Sequence, residues 1–395
     1  MGLALVGLRS GLVPGDGISI ESRPSKEGLL IKAAVMRGVG DPLLIEDVVL
    51  AEPGPYEVLV KTDAAGLCHS DLRFIEGSFP LPLPAVLGHE SAGVVEQVGK
   101  SVTHVAPGDH VITFLTVFCG SCSFCLTGRS YLCDNREATQ RRRDEPPRIL
   151  VSGEPAHQFL DLASFSEKML VHEHAVVKIA DDMPLDRASL LGCGVAAGLG
   201  AVFNTAGVRP GEAVAVVGCG GVGLSAIQGA RIAGANTIIA IDLIDEKLGL
   251  AKSLGATHLI NATSGTAAEQ VLEITAGRGV HHAFEAIGST QTAELAFSML
   301  RRGGTATVIG LIPSGEKVSV PSDDLFWEKK LQGSVMGSNR FKIDVPRYVE
   351  MYLDGRLDLD NMISNRLDLA DINDGFARIQ SGQGARNVIM FDTAG

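Results

Sequence analysis

The run Gly218-Cys219-Gly220-Gly221-Val222-Gly223 constrains the fold of this chain more than any other feature. It follows the apolar run Ala213–Val217 and opens the helix-like stretch Val222–Ala233, so glycines fall where a strand must turn sharply into a helix. Without side chains the backbone there can approach a ligand closely, and the free N–H groups of the new helix favour an anion such as a pyrophosphate. A glycine-rich turn can also be mere packing. Asp242 favours the ligand reading: it ends the next strand nineteen residues after Gly223, where a carboxylate can accept hydrogen bonds from an adenosine ribose. The carboxylate would repel a 2′-phosphate, and no arginine follows it in Leu243-Ile244-Asp245, which favours NAD over NADP. Lys247 offers a further ribose contact, against the simpler reading of a solvated helix lysine.

From about residue 195 to 336 strand and helix alternate. Strand-like runs at Ala213–Val217, Thr237–Ile241, Thr257–Ile260, His281–Glu285, Thr305–Ile309 and Leu331–Val335 are separated by helical stretches such as Asp245–Leu254 and Gln291–Leu300. That rhythm predicts a doubly wound parallel sheet of Rossmann type. Residues 29–194 instead carry short β-rich runs cut by Gly, Pro and Asp, at Leu30–Met36, Glu57–Thr62, Ala92–Val98, His110–Phe114 and Phe165–Val171, which predict a barrel-like β domain. Residues 337–395 hold two helix-like segments and a last strand, Asn387–Phe391, expected to return to the β domain. The Arg141–Arg143 run between Arg136 and Arg148 reads as a solvated surface loop.

The chain has seven cysteines and no recognisable secretory signal, which argues against a disulfide framework. Cys119, Cys122, Cys125 and Cys133 fall within fifteen residues and can close a tetrahedral zinc site. An iron–sulfur cluster is the competitor, but its C-x2-C-x2-C run continues with three residues and then Cys-Pro, whereas here seven residues precede Cys133 and Asp134 follows. Free thiols are the third reading. Four protein ligands leave no place for substrate, so this cluster is expected to staple a loop (about 115–135). Cys68, His89 and Cys193 stand apart, each beside glycines. One histidine with two cysteines is a known catalytic zinc set, yet spacing alone does not group them, and a buried cysteine is commonly just a small apolar residue.

Net charge is −12, from 34 basic and 46 acidic residues, which disfavours nucleic acid and anionic membrane as partners and leaves a small molecule. No apolar run reaches the ~20 residues that span a bilayer, so a soluble, cytoplasmic protein is expected. Residues 1–28 contain the apolar stretch Leu3–Leu8 without a basic segment before it, and read as an extension outside the fold.

Together these motifs resemble the zinc-dependent medium-chain alcohol dehydrogenases, over residues 30 to 391. The resemblance implies a GroES-like β-barrel catalytic domain beside the Rossmann domain. It also implies a catalytic zinc on the residues matching Cys68, His89 and Cys193, a structural zinc on the four clustered cysteines, and NAD as hydride acceptor. In the family's pattern Ser70 accepts the alcohol proton and Asp71 orients the zinc-bound imidazole. Glu90 sits beside the metal, and His69 and Arg386 match pyrophosphate contacts. Plainer readings stay open: a turn serine for Ser70, an ion-pair residue for Glu90, surface charges for His69 and Arg386. Where many relatives end the proton relay with histidine this chain has Arg73, whose guanidinium cannot shuttle protons.

Within the family, His157-Gln158-Phe159-Leu160 through Phe165-Ser166 is similar to the long-lobe subgroup of liver-type alcohol and glutathione-dependent formaldehyde dehydrogenases. The run Gly66-Leu67-Cys68-His69-Ser70-Asp71 is similar to bacterial alcohol or aryl-alcohol members. Leu115, Leu160, Ala197 and Leu311 are expected to line an enlarged apolar slot, favouring medium-chain, branched or aromatic primary alcohols over ethanol. Family assembly is a homodimer, with a homotetramer as the alternative. A nicotinoprotein that keeps NADH bound and a glutathione-dependent formaldehyde dehydrogenase are rival enzymes. A non-catalytic cofactor-binding protein is disfavoured because all three candidate zinc ligands and Ser70 are present.

Overall fold

A computed structural model describes residues 28–382 and 384–391. The expectation for residues 1–28 therefore lies almost wholly outside the described residues. Three sheets organise the rest. In the parallel sheet the strands Ala213–Val217, Thr237–Asp242, His258–Asn261, Val280–Glu285, Leu300–Val308 and Lys330–Gly333 lie in the chain order 3-2-1-4-5-6, so the order reverses between the first and fourth. Strands buried on both faces by helices read as unbroken Val, Ile and Ala runs, and Val214, Ala215, Val216, Ile239 and Ala240 are all fully buried. The helix Gly221–Ile232 leaves the first of these strands through the glycine loop.

The β portion has two sheets. One contains Leu29–Met36 and Leu44–Leu50 in antiparallel pairing. The other is built on the long strand Glu57–Gly66, which pairs with Glu90–Val98, Lys168–His172 and Arg386–Met390. The last of these is the returning C-terminal strand, in register with Ala64 to Gly66. Cys68 and His69 follow directly on this central strand and Glu90 opens its neighbour, so the sheet itself carries the residues of interest. Among the described residues no single helix is long and apolar enough to cross a membrane; the bent pair Leu185–Gly192 and Gly194–Ala206 is core.

The basic loop departs from expectation at Arg141. Arg142 is exposed, as a solvated loop requires, but the Arg141 side chain is only 13% exposed and binds Glu57, which is itself buried. Arg148 donates its Nε to the same carboxylate at 2.7 Å and its Nη2 to the Thr139 carbonyl. Charge runs are solvated unless a partner waits elsewhere in the fold, and here the partner lies 84 residues away. Burial alone would raise the Glu57 pKa; the two guanidiniums outweigh it and bring it down to about 2. A carboxylate with a lowered folded pKa stabilises the fold above its unfolded value, near 4.5, and loses that contribution as pH falls toward 2. Glu57→Gln is expected to cost about 3 kcal/mol at pH 7, since it strands two buried cations. Denaturant titrations at pH 7 and pH 3 check this: the gap between variant and parent should shrink at the lower pH.

Candidate metal centre and cofactor cleft

Cys68 ends the central strand's path and caps the helix His69–Ile75 with extended backbone, φ −122° and ψ 146°. His89 and Glu90 stand side by side at the start of the neighbouring strand. Cys193 sits at the break between the turn Leu190–Gly192 and the helix Gly194–Gly200. These four residues, separate in sequence, offer ligand atoms that all lie within 4.8 Å of one another, and all four are buried. Asp71 is fully buried on the first turn of the helix, and its Oδ1 lies 3.0 Å from His89 Nδ1 and also accepts the Gly88 N–H. That bond assigns the hydrogen to Nδ1 in the neutral ring and leaves Nε2 as a lone-pair donor. Nε2 is buried and has no partner.

The electrostatics call for a cation at the centre. A hydrogen bond from Cys193 and the nearby His89 hold the Cys68 thiol well below its ordinary pKa, against the effect of burial. Burial disfavours the charged His89 ring, yet the Asp71 carboxylate and the Cys68 sulfur raise it to about 10. A divalent ion would meet the same demand while taking both sulfurs and the free nitrogen as donors, a set suited to zinc. Glu90 Oε2 accepts a hydrogen bond from buried Arg386, while Glu90 Oε1 has no partner. Ser70 Oγ lies 3.5 Å from Cys68 Sγ.

The second cluster closes on itself. Cys122 Sγ lies 3.4 Å from Cys125 and 3.9 Å from Cys133, and Cys119 lies 3.9 Å from Cys125. No disulfide links them.

In the glycine loop Gly218 adopts φ +93°, a conformation other residues rarely hold, and a Cβ on Gly223 would be driven into the Gly218 carbonyl. A Cβ on Gly221 would meet Arg386, but one on Gly220 would meet nothing within 4 Å, so Gly220 faces open space. Asp242 Oδ2 accepts the Cys219 N–H at 2.7 Å and Oδ1 those of Leu243 and Ile244, which pins the carboxylate beside the loop. Lys247 is half-buried in the following helix, and His69 is exposed at the head of its own. Of the expected slot residues, Leu115 packs half-buried against the barrel core, Leu160 adopts φ 49° in the turn beside Phe159, Ala197 is buried, and Leu311 is 38% exposed.

Exposed apolar residues follow the parallel strands directly: Leu243 and Ile244 after the second, Ile287 after the fourth, Leu311 after the fifth, Val335 after the sixth. Of these only Leu311 was expected near the site, as a slot residue; the others carry no motif. The available signal was a large apolar side chain just past the end of a buried strand, where a ligand of an open α/β sheet binds.

Comparison with known proteins decides the family. Residues 54–181 match the alcohol dehydrogenase GroES-like domain and residues 221–352 the zinc-binding dehydrogenase domain. The S-(hydroxymethyl)glutathione dehydrogenase of Paracoccus denitrificans is 37% identical over 91% of this chain and 99% of its own length. The chain belongs to the zinc-dependent medium-chain alcohol dehydrogenases.

Two solved structures agree with that membership. An alcohol dehydrogenase zinc-binding domain protein from Burkholderia ambifaria is 36% identical with a TM-score of 0.89, covering 93% of this chain and all of its own. The benzyl alcohol dehydrogenase of Acinetobacter calcoaceticus is 32% identical with a TM-score of 0.87, covering 92% and 100%. The family implies zinc and a nicotinamide dinucleotide. The buried sulfur and nitrogen donors fit the first; the open face of Gly220 and the apolar rim of the cleft fit the second.

Proposed function

We propose that this dehydrogenase transfers hydride reversibly between a primary alcohol and NAD, with Cys68, His89 and Cys193 as the catalytic zinc ligands and aromatic or medium-chain alcohols as substrates. The convergence of those three donors with Glu90 inside 4.8 Å carries the reading. Zinc at that centre would supply a Lewis acid for the alcohol oxygen, and the nicotinamide a hydride acceptor. Asp71 fixes the His89 ring so that Nε2 faces the centre. Ser70 would take the alcohol proton. Arg73, whose guanidinium cannot shuttle protons, would take no part in the proton path. Gly218, Gly220, Gly221, Val222 and Gly223 would cradle the pyrophosphate, with His69 and Arg386 alongside. Asp242 and Lys247 would hold the adenosine ribose. A second zinc on Cys119, Cys122, Cys125 and Cys133 would staple the lobe.

The exposed apolar residues at the ends of the parallel strands and the likeness to a benzyl alcohol dehydrogenase support the substrate class. Leu115, Leu160, Ala197 and Leu311 would complete an apolar slot. A kcat/KM series from ethanol through octanol and benzyl alcohol, with NAD and with NADP, tests it. Benzyl alcohol is expected to exceed ethanol at least about tenfold, and a peak at ethanol would refute the slot. The relationship to S-(hydroxymethyl)glutathione dehydrogenase supports a second reading, tested in the same panel by formaldehyde with and without glutathione. A retained cofactor would appear as nicotinamide absorbance after desalting.

A homodimer through the outer strand Lys330–Gly333 fits the exposed Leu325, Phe326 and Trp327 beside that edge. Seven free thiols, six of them in the two clusters, fit a reducing compartment such as the cytoplasm.

A further inference from the structure

The Arg73 side chain leaves the helix His69–Ile75 and crosses the cleft. Its Nη1 donates to the carbonyl of Leu311 and its Nη2, at 3.4 Å, to the carbonyl of Ile287. Ile287 lies two residues past the strand Val280–Glu285, and Leu311 three past Leu300–Val308, so both oxygens stand at the carboxyl end of the parallel sheet. No other donor reaches either oxygen among the described residues.

The two carbonyls also flank the place where a dinucleotide would extend. With phosphates on the glycine loop and adenosine toward Asp242, on one side of the point where strand order reverses, the nicotinamide half must lie over the fourth and fifth strands. We propose that Arg73 is an interdomain latch: its guanidinium ties the metal-centre helix to the Ile287 and Leu311 carbonyls, and dinucleotide entry requires its release. Arginine suits the task because its charge persists at any working pH and its planar fork presents several donors at once. The latch rests on the dinucleotide-binding reading given above.

Stopped-flow fluorescence of NADH binding to the zinc-loaded, full-length enzyme tests it, with Arg73→Gln and Arg73→Lys beside the parent. In Arg73→Gln the association rate is expected to rise about tenfold, the equivalent of one hydrogen bond to a charged group, while the dissociation rate stays within about twofold because the latch is already open in the complex. Arg73→Lys, which keeps the charge and loses the fork, should fall between. Amide hydrogen exchange over residues 286–288 and 310–312 should quicken in Arg73→Gln without cofactor and match the parent at saturating NADH. Equal association rates with unchanged exchange would overturn the latch alone, as would slower association or faster release, which would place Arg73 on the cofactor. A parent enzyme that fails to bind NADH would remove the dinucleotide reading and the latch with it.

Discussion

Replacing Cys193 with alanine is expected to lower kcat by a factor of about 1,000 or more while the protein stays folded. The residue contributes one of three donors at the centre, so its loss leaves Cys68 and His89 with only Glu90 to complete a set, and Glu90 is already tied to Arg386. A Lewis acid contributes several kcal/mol to a charged transition state, and each ~1.4 kcal/mol is a factor of ten in rate. Stability should change little, because cysteine-to-alanine removes one atom from a residue that packs as a small apolar group. Elemental analysis gives the second readout: from the proposed two zinc ions per chain, one should be lost. The same drop through Cys133→Ser should behave differently, lowering the unfolding temperature first, since that cluster closes a loop and has no open position. Substantial turnover in Cys193→Ala with one zinc remaining would remove this centre from the chemistry.

The difference between these two cysteine sites also marks what sequence could convey. The four clustered cysteines declare themselves because their spacing is local. Cys68 and Cys193 are 125 positions apart, and nothing in spacing joins them; only resemblance to a family did so before the fold brought them together. The parallel sheet was legible for a similar reason: two-sided burial enforces continuous apolar runs, and Ala213–Val217 matches the observed strand at both ends. Strand Leu300–Val308 was read as starting five residues late because Arg301-Arg302-Gly303-Gly304 has the composition of a turn; its start is irregular, with a register shift and Gly303 at φ 73°. The strand Leu44–Leu50 escaped notice because its first half faces solvent and does not alternate cleanly. Arg141 and Arg73 were misjudged or incomplete for one shared reason. An arginine's role is set by the acceptor it reaches, and Glu57, Ile287 and Leu311 are far away in sequence.

Gly220→Ala is expected to fold normally and bind NADH at least about 100-fold more weakly. The two halves of that expectation come from different facts. Gly220 has φ −78°, which alanine accepts without strain, and its added methyl would meet no protein atom within 4 Å, so the fold loses nothing. That same methyl projects into the space in front of the helix Gly221–Ile232, where a pyrophosphate must come close enough to bond the backbone N–H groups. Forcing a methyl into a filled contact costs roughly 1–3 kcal/mol, and the upper part of that range is about two decades of affinity. Gly223→Ala supplies the contrast, because its methyl would collide with the Gly218 carbonyl and disturb the loop whether or not cofactor is present. Unfolding temperature and NADH affinity should therefore separate for Gly220 and fall together for Gly223. If Gly220→Ala bound NADH as tightly as the parent, the dinucleotide's phosphates would have to rest somewhere other than this loop.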